Sequence, residues 1–395
     1  MRKSFQFRIY PNENQEVILN RTLSTCRHLY NDSLAERKQQ AELNRLKRDF
    51  QVFPWGKPDW INYYDQANQL PLSKTSYQKE VHSHVLQNTL KRVDRSFQNF
   101  FKGAGYPRFQ GRNRYNSFTY PDSESGYKLK DGKLNLSKIG NIRIILHREI
   151  EGKIKTCTIK KDIDQWYATF SCEIENPVPV EIKTRTGLDV GLIDLITLSN
   201  GEQIKPPKFL RESEDKLTHE QKRLSPKKKG SGKRNKQRII IAKVHRTIRN
   251  QRKDFAHKIS RMLVDTYDLI KFEDLHIQNM VQNHHFAKSI SDAGWYQLMN
   301  FTEYKAEYAG KFVEFINPAG TSQECICGFS VPKDLSVRIH RCPKCGLVMP
   351  RDQVSANIIE IRPSISTAGT AGINARQGLL NRESMQQEAP TLQGE

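Results

Sequence analysis

Three short acidic blocks, far apart along the chain, place the tightest constraint on how it can fold. They are Asp189 in Gly187-Leu-Asp-Val-Gly191, Glu273 in Lys271-Phe-Glu-Asp-Leu275 and Asp352 in Pro350-Arg-Asp-Gln353. Each falls where a predicted strand or helix ends, so three carboxylates distant in sequence can meet at one point. Singly, each has a plainer explanation. Asp189 lies among apolar neighbours in a predicted buried strand, where an unpaired carboxylate is costly, unless it is a solvated acid at the strand end. Glu273 ends a strand beside Asp274, where acids are often only solvated. Asp352 precedes Gln353-Val-Ser-Ala-Asn-Ile-Ile359, which reads as a helix, so an ordinary N-cap accounts for it.

Charge identifies the class of partner. The 395 residues are long enough for two or more domains, each with a core. The net charge of +21 and the pI near 9.6 call for a polyanion, either nucleic acid or an acidic membrane surface. Nucleic acid is favoured: no apolar run approaches the roughly 20 residues of a membrane span, and the basic segments lack a lipid-seeking apolar face. The N-terminus carries charge without an apolar stretch, so no secretory signal is expected and the chain is placed in the cytoplasm. Cys325, Cys327, Cys342 and Cys345 are clustered, which fits a reducing compartment and a metal site better than a disulfide framework. Cys26, Cys157 and Cys172 are then expected as buried thiols.

Periodicity gives the organisation. Residues 4 to 10 alternate, with Phe5, Phe7 and Ile9 on one face, and Pro11 closes this strand. Leu19, Leu23, Cys26, Tyr30 and Leu34 then recur at helical spacing, as do Leu86, Leu90, Val93, Phe97 and Phe101. Phe53-Pro-Trp-Gly-Lys-Pro58 and Leu70-Pro-Leu72 are expected to break the helices between them. From Gly103 to about Val180, stretches such as Ile142–Leu146 and Trp166–Phe170, separated by Asp131-Gly132 and Glu151-Gly152, predict a small barrel with residues 4 to 10 as its first strand. Pro177 and Pro179 form a linker to the strand that holds Asp189, and Asn200-Gly201 predicts a hairpin.

Residues 205 to 261 hold 20 Lys or Arg against 5 Asp or Glu, which is +15 of the chain's +21. Within them Lys227 to Lys233 read as a flexible basic loop. Ile241, Val244, Ile248, Phe255, Ile259 and Met262 form the apolar stripe of a helix. So concentrated a charge needs counter-charge, and Lys227, Lys228, Lys229, Arg234, Arg249 and Arg252 are the candidate phosphate contacts. Residues 363 to 395, rich in Ser, Thr, Gly, Gln and Glu, are expected to be a disordered tail.

Taken in order, an acid in a first strand, an acid ending a later strand and an acid opening a helix follow the RNase H pattern. Two-metal phosphodiester hydrolysis needs carboxylates that hold cations roughly 4 Å apart, and Asp and Glu suit magnesium, with manganese as a substitute. Four thiolates are enough for a tetrahedral structural zinc.

The chain resembles the TnpB (OrfB) family of insertion-sequence proteins, RNA-guided DNA endonucleases related to the CRISPR type V effectors. The matching segments are Arg8-Ile-Tyr-Pro11 with Gln15, Gly105-Tyr-Pro-Arg-Phe-Gln-Gly111, Ser117-Phe-Thr-Tyr-Pro121, Gly187–Gly191 and Phe272–Leu275. They continue in Ser289–Trp295, Tyr304–Gly310, Thr321-Ser-Gln323, Cys342-Pro-Lys-Cys-Gly346 and Arg351–Asn357.

The resemblance implies an α+β multidomain protein. Its parts are a wedge β-barrel (1–10 and 103–182), a helical recognition lobe (11–102) and a RuvC nuclease domain of RNase H fold (183–362) with a zinc-ribbon insert (317–350). It also implies a guide RNA from the transposon end, double-stranded target DNA cut beside a short transposon-adjacent motif, and a nucleoid-associated, prokaryotic setting. By residue matching, Asp189, Glu273 and Asp352 are the magnesium-binding triad, and Arg338 stabilises the scissile phosphate. Gln87 and Thr119 fall in the blocks that line the flanking-motif site.

The cysteines depart from the family pattern, because Cys325-Ile-Cys327 is one residue short of Cys-x-x-Cys. Strain in that knuckle is expected, with His340 as a substitute ligand. A nuclease-inactive RNA-guided repressor and a DDE-type transposase are the alternatives, although all three carboxylates that a repressor of this kind loses are retained here.

Overall fold

The computed structural model describes residues 1–50, 58–275, 280, 282, 293–334 and 336–365. The Phe53 to Lys57 break, most of the Ser289–Trp295 block, Leu335 and the tail beyond residue 365 lie outside the described residues. The chain forms two compact units, built on Met1–Glu175 and on Asn176–Thr370. No helix among the described residues is long and apolar enough to cross a membrane.

The first unit opens with β1 (Arg2–Tyr10), whose Phe5, Phe7 and Ile9 are all buried. Pro11 stops the strand, and Asn12 starts α1 (Glu13–Asp49) through a capping box: its Oδ1 accepts from the Gln15 N–H at 2.9 Å, and the Gln15 Oε1 accepts from the Asn12 N–H at 3.0 Å. Then follow α2 (Tyr63–Ser73), α3 (Ser76–Lys79) and α4 (Ser83–Phe101). Pro71 does not break α2 as expected. The helix runs through it, without the N–H that would donate one turn back, and ends two residues later. Arg37, buried in α1, donates to Gln66 of α2 at 3.0 Å and to Asp94 of α4 at 3.1 Å, so one guanidinium joins three helices.

Six strands complete this unit: β2 (Ser117–Tyr120), β3 (Tyr127–Lys130), β4 (Lys133–Leu136), β5 (Gly140–Ile144), β6 (Lys153–Asp162) and β7 (Gln165–Glu173). With β1 they form one seven-stranded antiparallel sheet in the order β2-β6-β7-β1-β5-β4-β3. The N-terminal strand therefore lies in the middle of a sheet whose other members come a hundred residues later, and the four helices are an insertion within it. Asp131-Gly132 makes the β3–β4 hairpin with both residues left-handed, at φ 49° and 66°.

In the second unit β8 (Arg185–Val190), β9 (Ile196–Leu198) and β10 (Gln203–Ile204) form a meander. The Asn200-Gly201 turn joins the last two, with Gly201 at φ 91°. Next come α5 (Phe209–Glu212), α6 (Glu214–Leu224), the long α7 (Gly232–Thr266) and β11 (Leu269–Glu273). They are followed by α8 (Trp295–Tyr308), β12 (Phe312–Ile316), the hairpin β13 (Ile339–Arg341) and β14 (Val348–Pro350), and α9 (Arg351–Ile361). The sheet order is β10-β9-β8-β11-β12, with β8, β11 and β12 parallel. Parallel neighbours need crossovers, and the chain supplies helices between them. Leu188, Ile270 and Phe272 face a core with Leu263 and Val264 of α7 and Trp295 and Leu298 of α8. The opposite face is covered by α9.

Candidate active site and metal centre

Register brings the first two carboxylates together. In the β8–β11 pair Lys271 lies opposite Gly187 and Phe272 opposite Leu188, so the next residues, Glu273 and Asp189, are level. Because side chains alternate along a strand, both point to the face under α9. Gly187 allows α9 to come that close: a Cβ there would lie 2.1 Å from the Ala356 carbonyl oxygen and 2.4 Å from the Glu360 nitrogen. Asp352 stands in the first turn of that helix. At its other end the buried Lys271 ammonium donates to the Arg362 carbonyl at 2.8 Å, closing the C-terminus.

The electrostatics register the convergence. Burial, and then the charges of Glu273 and Asp352, push the Asp189 carboxyl well above the usual carboxylate range, with Arg351 opposing. Burial also raises Glu273, against a hydrogen bond donated by Thr321 Oγ1 and the charge of Arg362. Asp352 accepts from Arg351 Nε at 3.0 Å, and Arg338, half exposed, brings Nη1 to 4.0 Å from its other oxygen. The backbone of Arg338 accepts from the Arg351 N–H at 2.8 Å, which fixes the hairpin to the helix start. A cavity of about 570 Å³, lined by Lys333, Arg351, Ser322, Gln323, Asp334 and Ser336, adjoins this arginine. Glu273 and Asp352 thus act on the charge of the buried Asp189, a repulsion that a hard cation held by these oxygens would cancel, although among the described residues the three are not drawn into a close ligand cluster.

Thr321, Arg351 and Arg362 were not among the sequence candidates. Thr321 lies in a quoted motif, and its bond to Glu273 spans 48 residues. Arg362 donates to the Asn317 and Ala319 carbonyls at 2.8 and 2.7 Å and to Glu324 at 2.7 Å, holding the turn that carries Thr321.

The four cysteines are the one group of potential metal ligands drawn together among the described residues, with all Sγ atoms within 4.8 Å of one another. Cys325 and Cys345 are 3.6 Å apart and Cys327 and Cys342 3.7 Å. A tetrahedron with Zn–S bonds of about 2.3 Å has edges of about 3.8 Å, so the spacing fits zinc. The shortened knuckle closes like the normal one. Cys325 N–H donates to the Phe329 carbonyl and Gly328 N–H to that of Cys325, as Cys342 does to Leu347 and Gly346 to Cys342. Gly328 and Gly346 take the same left-handed turn, at φ 79° and 76°. The missing residue makes one turn tighter without removing either bond. Burial raises the Cys342 thiol but backbone N–H donors from Cys345 and Lys344 lower it on balance, while burial raises Cys325 in the same cluster. His340 is not a substitute ligand: it lies outside the cluster, fully buried, with Nδ1 against the Lys333 ammonium.

The nucleic-acid candidates divide by orientation. Arg234 donates to the carbonyls of Leu224 and Lys227 at 3.1 and 2.8 Å, and Lys227 to that of Arg223 at 2.6 Å, so both satisfy the end of α6. Lys228, Lys229 and Arg249 are exposed and Arg252 is half-buried. Thr119 accepts from Arg92 at 3.0 Å and shares a hydrogen bond with Thr158 at 2.9 Å, while Gln87 is half-buried on α4.

Residues 169–284 match the OrfB IS605 family, described as "Probable transposase", residues 295–359 the "Cas12f1-like, TNB domain", and residues 1–45 the family's "Helix-turn-helix domain". The last description differs from the structure, in which a strand precedes one uninterrupted helix. "Putative RNA-guided DNA endonuclease InsQ" of Escherichia coli strain K12 is 30% identical over 362 residues, 86% of this chain and 87% of that protein. A similarly named protein of Streptomyces pristinaespiralis is 30% identical over 384 residues, 93% of this chain and 91% of its own length. A solved mini-RNA-guided endonuclease, CRISPR-Cas phi3, covers 91% of this chain and 92% of its own at 10% identity and a TM-score of 0.49.

Proposed function

This chain belongs to the TnpB (OrfB) family of insertion-sequence proteins, and from that premise we propose that it is a transposon-encoded DNA endonuclease directed by a guide RNA. The observation that carries the reading is the convergence of Asp189, Glu273 and Asp352 from β8, β11 and α9 onto one face, the last two altering the charge environment of the first.

Asp189, Glu273 and Asp352 would hold magnesium or manganese. Bound there, two such ions supply an activated water and charge stabilisation for the leaving oxygen. Thr321 orients Glu273 through its hydroxyl. Arg351 holds the Asp352 carboxylate, and Arg338, half exposed beside it, is free to swing to a scissile phosphate as negative charge develops there. The cavity beside Arg351, with Lys333 on its wall, gives an anionic strand room next to the triad. The cysteine cluster would hold a structural zinc that braces the β13–β14 hairpin and hence Arg338.

The domain reading follows: a wedge-type sheet with a helical recognition insert, then a RuvC-type nuclease domain that includes the ribbon. Sequence choice is assigned to guide pairing, and recognition of a short flanking motif to the α4 and β2 region of Gln87 and Thr119. The basic segment between β10 and β11 tracks phosphates.

The test is direct. The protein purified with its transposon-end RNA is expected to cut a matched plasmid in magnesium. Asp189→Ala is expected to retain binding and lose cutting by several orders of magnitude. Cutting that persists in this variant would rule out the assignment, and binding without scission by the wild type would favour the repressor.

A further inference from the structure

The run from Arg95 to Arg114 alternates rings with cations: Phe97, Phe100, Phe101, Tyr106 and Phe109 share it with five basic residues and no Asp or Glu. Phe101 was expected to continue the buried stripe of α4, yet it is 80% exposed, while Tyr106 and Phe109 are 43% and 51% exposed. The rings are not loosely held. Tyr106 packs edge-on against Phe100 and Phe97 at 5.1 and 5.9 Å. The Lys38 ammonium of α1 lies over both Tyr106 and Phe109, 5.3 and 4.5 Å from their centroids. Asn31 clamps the strap that follows α4 from both sides, accepting from the Gln110 N–H at 2.8 Å and donating to its carbonyl at 3.1 Å. Two neighbouring acids are engaged by the unit's own helices: Asp94 accepts from Arg37 and Glu36 from Gln66.

Rings on a rigid frame with cations between them match the two faces of a nucleotide, base and phosphate. We propose that this surface is a stacking platform for unpaired ribonucleotides of the guide, an inference that rests on the RNA-guided reading above. Charge argues against an apolar protein partner, which would have to cover the cations without neutralising them. RNA rather than DNA is indicated by the order of events. The guide is always present, whereas target DNA becomes single-stranded only after the guide has opened it.

The test uses the full-length protein and a labelled oligouridine. Phe109→Ala and Tyr106→Ala are each expected to weaken binding roughly tenfold, with the protein still folding cooperatively in melting curves, and Phe109→Trp is expected to restore it. In the wild type, 5-iodouridine placed in the oligonucleotide is expected to crosslink within residues 97–109. Equal affinity in the variants, or crosslinks confined elsewhere, would overturn the platform. So would tighter binding of oligothymidine than oligouridine, or a Phe101→Ala variant that changes only oligomeric state. If the wild type copurifies with no RNA, the guided reading fails and takes this inference with it. If it carries RNA and the variants bind alike, the platform alone falls.

Discussion

Asp189 carries a testable sign. Its folded-state pKa lies above the unfolded value, because burial and two neighbouring carboxylates disfavour its charge. Between those two values the folded state holds the extra proton. The stability of the metal-free protein therefore falls as pH rises from the ordinary carboxylate range through the raised value, and stays lowered at neutral pH. Asp189→Asn removes that loss. Without divalent ions the variant is expected to melt higher than the wild type at neutral pH, by a few degrees, since about 1 kcal/mol moves the midpoint roughly 2–4 °C in a unit of this size. The gap is expected to close below about pH 4, and magnesium is expected to stabilise the wild type alone. Melting curves at both pH values, with and without magnesium, decide it. A variant that melts lower at neutral pH without metal would contradict the site's electrostatics. The acid itself was legible because an apolar strand has no reason to hold a charge. Thr321, Arg351 and Arg362 were not, because hydroxyls and guanidiniums are unremarkable until the fold sets them against Glu273, Asp352 and the turn at Asn317.

Between elements, one close approach and one cluster set the site's geometry. The motif around Asp189 was readable in sequence, but the reason for Gly187 was not: it is the contact with α9, where a Cβ would meet two backbone atoms that cannot move aside. Gly187→Ala is expected to destabilise the protein by about 1–3 kcal/mol or more. By shifting Asp352 it is also expected to lower cutting at least tenfold, checked by melting and single-turnover cleavage. A variant with normal cutting would mean that α9 can move without disturbing the triad. The cysteine cluster was readable from its pairs, whereas the soundness of the short knuckle depends on hydrogen bonds that spacing does not reveal. One zinc per chain is expected by metal analysis, with Cys342→Ser releasing it to a chelator. Retention of zinc by that variant would show that the ion sits elsewhere.

For the whole molecule, the sequence reports a total charge but not its direction. Of the basic residues between β10 and β11, Arg234 and Lys227 turn back onto the end of α6, while Lys228 is exposed. Composition cannot separate the two groups, since a cation that closes a helix and one that meets a phosphate count alike. Salt dependence can. A phosphate contact releases counterions, so its loss flattens the plot of log affinity against log salt by about 0.7–0.9 per contact. Lys228→Ala is expected to flatten it by about that amount and to weaken guide and random RNA equally. Arg234→Ala is expected to leave the slope unchanged and instead to speed hydrogen exchange in residues 213–231. Phe109→Ala should lower affinity at every salt concentration with no change in slope, since stacking releases few ions. Titrations of guide and random RNA across a tenfold range of salt separate the three outcomes. An Arg234 variant that flattens the slope as the Lys228 variant does would move that guanidinium from the helix end to the nucleic acid, and the basic segment would then act as one undivided contact surface.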